Sequence, residues 1–176
     1  MKSTIQQQIS EVSQILLNKR NSDGYWNGRL SSSALGVAVA VTALFFYEQD
    51  DNSSAIRSGL KWLEQNINAD GGFGDSPGSR SNVSTSLLCY AAVKVTNQKY
   101  SNSRLLEELS VYLKSQDIDI NSEQMIQSVL NFYQTDRTFS VPILTMCALC
   151  GVPGYVAFEQ IPQLPFELSL LPRSFY

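Results

Sequence analysis

Cys147 and Cys150 stand three residues apart, the spacing of a redox dithiol or of half a metal site. Such chemistry needs partners: a second cysteine pair or histidines to complete four ligands, or a polar setting that lowers a thiol pKa. The chain has 3 cysteines and 0 histidines, and the pair lies inside the apolar run Val141 to Cys150. Two small buried hydrophobes are the expected reading. Paired carboxylates, at Asp50-Asp51 and at Asp117/Asp119, could hold Mg²⁺ or trade protons. Glu48, Gln49, Asn52 and Ser53 surround the first pair and make it a solvated loop, and Ile120 breaks the acidic run of the second. Without histidine, the Ser-His-Asp and Cys-His schemes are excluded. The sequence therefore assigns no catalytic, cofactor-binding or metal residue.

A turn that occurs twice is more informative. Asp23-Gly24-Tyr25-Trp26-Asn27-Gly28 is repeated 47 residues on as Asp70-Gly71-Gly72-Phe73-Gly74-Asp75. Each copy follows a stretch that is apolar at helical spacing, and each precedes a Ser-rich helix start, Ser31-Ser32-Ser33 and Ser81-Asn82-Val83-Ser84-Thr85. Periods of this length belong to arrays of helical hairpins, whose units bury their apolar faces only by stacking on neighbours. The expected structural residues are Asp23, Gly24, Trp26 and Gly28 in the first turn and Asp70, Gly71, Phe73 and Gly74 in the second. The glycines, Gly72 among them, are expected to supply positive φ. The aspartates are expected to accept backbone N–H bonds, with Trp26 and Phe73 folded over the turns. A phosphate-cradling loop would need the Lys-Ser/Thr of a P-loop or a preceding strand, and neither is present.

The elements that carry these turns read as helices throughout. Ile5, Ile9, Val12 and Leu16 form one stripe; Ala34 to Tyr47 is apolar on most sides and is expected to be buried within a bundle. Ile56, Leu60, Leu63 and Ile67 mark a third helix, and Thr85 to Val95 a fourth made of small apolar residues. Leu105, Leu106, Leu109 and Leu113, then Met125, Val129, Leu130 and Tyr133, form a further hairpin. A seventh helix runs from Val141 to Cys150 and stops at Gly151. Pro162, Pro165 and Pro172 keep the tail from being one regular helix. No segment alternates as a strand, so the expected class is all-α, a single unit over residues 1–176 with a Pro-rich docking tail over 159–176. Its 176 residues, 43% apolar and 16% charged, suffice for a core. A net charge of −3 argues against a nucleic-acid partner. No apolar run reaches bilayer length and the first residues lack a signal-type core, so a cytoplasmic protein with reduced thiols is expected.

The unit of helix, Asp-Gly, aromatic, Gly and Ser-rich helix start resembles the QW-type repeat of squalene–hopene cyclases and their prenyltransferase-fold relatives. Four ordered segments carry the resemblance: Asp23 to Leu35, Ala69 to Thr85, Asp136-Arg137-Thr138-Phe139 through Thr145, and Leu164-Pro165-Phe166-Glu167-Leu168 with Leu170-Leu171-Pro172. The resemblance implies an incomplete α/α toroid and, in a full-length relative, proton-initiated polyene cyclisation without a cofactor. It implies a squalene-type or polyprenyl ligand, the missing cyclase half or a second copy as partners, and docking on a membrane surface without crossing it. This chain departs from the pattern where Arg20 and Ile67 stand in place of the naming glutamine, and where Phe73 replaces a tryptophan. It also contains no Asp-x-Asp-Asp, the acid of those cyclases. The expectation is an N-terminal segment, a fragment or truncation, that supplies scaffold and cavity wall. The alternative is a non-enzymatic helical-repeat module that binds a partner through apolar edges. A zinc prenyltransferase subunit is disfavoured by the absence of histidine.

Overall fold

The computed structural model describes residues 2–28, 30–47, 52–154, 157–162 and 170–172. Asp50 and Asp51, and the tail segment Leu164 to Leu168, lie outside the described residues. The described residues form eight helices and no strand: α1 (Lys2–Asn18), α2 (Ala34–Tyr47), α3 (Ser53–Asn66), α4 (Val83–Tyr100), α5 (Ser103–Ser115), α6 (Gln124–Tyr133), α7 (Arg137–Leu149) and α8 (Ala157–Gln160). None of them is long and apolar enough to cross a membrane.

The chain divides into two compact units, 1–31 and 32–176. The first is α1 and the turn that follows it. Its stripe, Ile5, Ile9, Val12 and Leu16, is exposed.

In the second unit α4 is the central element. It packs on α2, α5 and α7, while α2 also packs on α3, α6 on α7 and α8 on α7. Every residue from Thr85 to Val93 is buried. That follows from a helix apolar on all sides, which gains by being enclosed. The flanking helices are amphipathic and turn one stripe inward: Ile56, Leu60 and Leu63 from α3, Leu105, Leu109 and Leu113 from α5, Met125, Ile126 and Val129 from α6.

Two expectations need correction. Helix α2 is not enclosed: Ala34, Ala38, Val41 and Thr42 face the core, while Leu35, Val39, Phe46 and Tyr47 are exposed. Among the described helices α3 and α4 make its main contacts, and the side that carries Leu35, Val39, Phe46 and Tyr47 stays exposed. Helix α7 begins at Arg137, four residues before the expected start, because Asp136 caps it: its Oδ1 accepts the Thr138 N–H at 2.9 Å. Pro142 is then an interior residue.

Candidate functional site

The two Asp-Gly turns have the same backbone. Asn21 N–H donates to the Tyr25 carbonyl at 2.9 Å, and Asn68 N–H to the Gly72 carbonyl at 3.0 Å. Gly24 N–H donates to the Asn21 carbonyl at 3.1 Å, and Gly71 N–H to the Asn68 carbonyl at 2.9 Å. Gly24 has φ +88° and Gly71 φ +81°, the left-handed region that favours glycine. Every one of these bonds recurs at an offset of 47 residues.

Side chains complete the two turns differently. In the first, Asn21 Oδ1 accepts the N–H groups of Asp23 and Tyr25, each at 3.1 Å. The accepting role expected of Asp23 thus falls to Asn21. In the second, Asp70 Oδ1 accepts from Gly72 N–H at 3.0 Å and from the Ser81 hydroxyl at 2.7 Å. Asn68 Nδ2 donates to Ser81 Oγ at 2.9 Å and to the Ser79 carbonyl at 3.0 Å. Asp75 Oδ1 accepts from Asn82 Nδ2 at 2.8 Å and Thr85 Oγ1 at 2.9 Å, while Asn82 Oδ1 caps α4 through Thr85 N–H at 2.9 Å. The turn is thereby sewn to the start of the next helix, so α3 and α4 leave it in fixed directions.

The other glycines of the motif act through close approach, not positive φ. A Cβ on Gly72 would lie 2.7 Å from the Ser81 Cβ and 2.8 Å from the Tyr112 ring; one on Gly74 would lie 2.6 Å from the carbonyl oxygens of Ser79 and Arg80. Gly28 has neither a positive φ nor a neighbour within 4 Å of such a Cβ, and nothing in the structure explains it.

The aromatic residues part company too. Trp26 is 46% exposed and folds back to donate its Nε1–H to the Leu16 carbonyl at 2.6 Å, at the end of α1. Phe73 is 2% exposed and enters the core. The ring that covers the second turn belongs instead to Tyr112 of α5. Burial pushes the Tyr112 phenol up, the Asp70 charge adds to this, and a hydrogen bond with Ser86 opposes both.

Sequence reasoning missed Asn21, Asn68, Ser86 and Tyr112. The asparagines were detectable, since they repeat at the same offset as the Asp-Gly pairs. Ser86 and Tyr112 carry no local signal, because their roles arise from α4 and α5 meeting the turn.

The cysteines do no visible chemistry. Cys89, Cys147 and Cys150 are buried free thiols. Burial raises all three, Cys150 to about 11, so none is poised as a thiolate. Among the described residues no cluster of His, Cys, Asp and Glu could hold a metal ion. Asp117 and Asp119 are both exposed, and Asp119 Oδ1 serves its own loop by accepting Asn121 N–H at 3.1 Å.

A profile of the squalene-hopene cyclase N-terminal domain matches residues 9–114, a span that contains both turns. The chain belongs to that family. No curated protein and no solved structure matches it. The matched span runs from within α1 to the end of α5.

Proposed function

We propose that this chain is the N-terminal portion of a class II terpene cyclase system of the squalene–hopene type. It contributes scaffold and cavity wall and does not supply the proton. The observation that carries this reading is the coincidence of the family match over 9–114 with two turns of identical backbone bonding. Turns that fix the directions of successive helices suit an α/α toroid, because such an array closes a cavity only if each hairpin is set at a constant angle to the last. In this reading Asp23, Gly24, Trp26 and Gly28, with Asp70, Gly71, Phe73 and Gly74, serve the joints and not the chemistry. Polyene cyclisation needs an acid strong enough to protonate an alkene, a dry cavity and aromatic faces for cationic transition states. The sequence holds no Asp-x-Asp-Asp. The acid would have to come from further cyclase sequence, with a squalene-type or shorter polyprenyl chain as ligand and the membrane surface as its source.

Two measurements test this. The purified 176-residue chain, incubated with squalene or shorter polyprenes, is expected to give no cyclised product by gas chromatography. Any product above an empty-vector control overturns the assignment of a scaffold role. Co-expression with a cyclase segment that carries Asp-x-Asp-Asp is expected to give cyclised product. Failure to do so would favour the second reading, a non-enzymatic module that binds a partner. The exposed apolar face of α2, with Leu35, Val39, Phe46 and Tyr47, supports that alternative.

A further inference from the structure

Helix α5 stops on an aspartate where glycine is the better fit. Ile118 N–H donates to the Leu113 carbonyl at 3.0 Å, and Asp117 N–H to the Lys114 carbonyl at 3.2 Å. That pair of bonds is a Schellman stop, whose left-handed residue is most often glycine. Here it is Asp117, with φ +58°. Asp117 is exposed, and among the described residues its carboxylate has no hydrogen bond or ion pair. The charge is held at a conformational cost and does nothing for the fold around it.

The surroundings of Asp117 supply a use. It lines a cleft of about 200 Å³ between the first turn of α4, the α5–α6 connection and α6, and it is the one charged residue of that lining. Val83, Ile118 and Val129 form an apolar wall, with the rings of Phe132 and Tyr133 beside them. Phe132 is 67% exposed. Tyr133 is fixed in place: its hydroxyl shares a hydrogen bond of 2.5 Å with Ser84, and its ring meets Phe132 edge-on at 5.1 Å and stacks on Phe139 at 6.1 Å. Lys114 and Asp119 border an adjoining cleft with Asp117, and their opposite charges offset each other.

A carboxylate beside aromatic rings attracts a cation by its charge and by the ring quadrupole, and an apolar wall suits the methylene shaft that carries the cation. Size decides the source. At about 200 Å³ the cleft falls below the roughly 300–1,000 Å³ of small-molecule sites, so it takes one side chain and not a whole ligand. Arginine fits better than lysine, because a planar guanidinium stacks on a ring while it pairs with a carboxylate. We propose that this cleft docks a single arginine side chain of a partner protein, with the guanidinium between Asp117 and the Phe132 and Tyr133 rings. The net charge of −3 favours a basic partner in the same sense. The proposal goes beyond the cyclase reading and does not rest on it.

The test titrates the full chain with the peptide acetyl-Gly-Gly-Arg-Gly-Gly-amide and follows backbone amide shifts by NMR. Saturable shifts are expected at Ser84, Asp117, Ile118 and Phe132. The same peptide with citrulline, which keeps the shape of arginine without its charge, is expected to bind about tenfold more weakly. Asp117→Asn should weaken the arginine peptide by a similar factor, and Phe132→Ala should weaken it as well. Asp117→Gly gives a readout that a merely structural role would not couple: the melting temperature should rise, because glycine suits the left-handed stop, while peptide binding is lost. The absence of saturable shifts, equal binding of the arginine and citrulline peptides, or binding retained in Asp117→Gly would each overturn the proposal. A lower melting temperature for Asp117→Gly would overturn its premise that the carboxylate is kept against the preference of the fold. None of these readouts involves product formation, so this test and the cyclisation test fail independently.

Discussion

Ser86 bonds both backbone groups of Phe73. The Phe73 N–H donates to Ser86 Oγ at 2.9 Å, and the Ser86 hydroxyl donates to the Phe73 carbonyl at 3.3 Å. Both residues are buried, and the contact ties the second turn to the first turns of α4. Ser86→Ala leaves the buried Phe73 N–H without its partner, while the Phe73 carbonyl keeps the Asn82 N–H at 2.9 Å, so a loss of about 1–3 kcal/mol is expected. Urea unfolding that shows no change in midpoint would contradict this account of the joint.

Gly71 and Gly78 share the same left-handed backbone conformation in different surroundings. Gly71 has φ +81° and a Cβ there would lie 3.0 Å from the Glu108 carbonyl; Gly78 has φ +82° and open space. Gly78→Ala should cost about 1 kcal/mol from conformation alone, and Gly71→Val more, roughly 1–3 kcal/mol. Thermal melts of the two variants separate strain from collision. Equal losses would mean that α5 yields at Glu108 without cost.

The equivalent aromatic residues of the two turns should respond unequally. Phe73→Ala opens a cavity in the core and is expected to cost about 3–5 kcal/mol. Trp26→Ala removes a half-exposed ring and one bond to the Leu16 carbonyl, for a loss nearer 1 kcal/mol. A larger loss at Trp26, read as a drop in helicity or melting temperature, would show that the first turn is the more critical joint.

Alkaline pH should destabilise the fold. Cys150 is raised from 9.0 to about 11 by burial, and burial raises Cys89 and Cys147 as well. Above pH 9 the unfolded chain releases these protons while the folded chain keeps them, so stability falls as pH rises toward 11. Two pKa units correspond to about 2–3 kcal/mol from Cys150. Lys94 acts in the opposite sense: burial lowers it from 10.5, the unfolded chain binds its proton more readily, and stability from this group rises with pH up to that value. The three thiols outnumber the one amine, so a net loss is expected between pH 9 and 11. Denaturant midpoints across that range check it, and Cys150→Ala should flatten the slope.

What the sequence settles by itself is local. The 3.6-residue spacing of Ile56, Leu60 and Leu63 and of Leu105, Leu109 and Leu113 specifies helices, because only that period puts those side chains on one face. Gly24 and Gly71 were legible because a left-handed φ after Asp, in a motif that repeats, leaves few other residues. What the sequence left open was decided by contacts between distant segments. Neither α2 nor the Thr85–Val93 stretch of α4 has a charged face, yet that stretch is enclosed and the more hydrophobic α2 is half exposed, since enclosure depends on how many neighbours arrive. Trp26 and Phe73 occupy equivalent positions, yet the compact unit that holds Trp26 is one helix and its turn, whereas the unit that holds Phe73 builds the α3–α4–α5 core that its ring enters. Gly72 and Gly74 look like turn glycines. They are required because Ser79, Arg80, Ser81 and Tyr112 approach their backbone within van der Waals distance, which no pattern in the chain could announce.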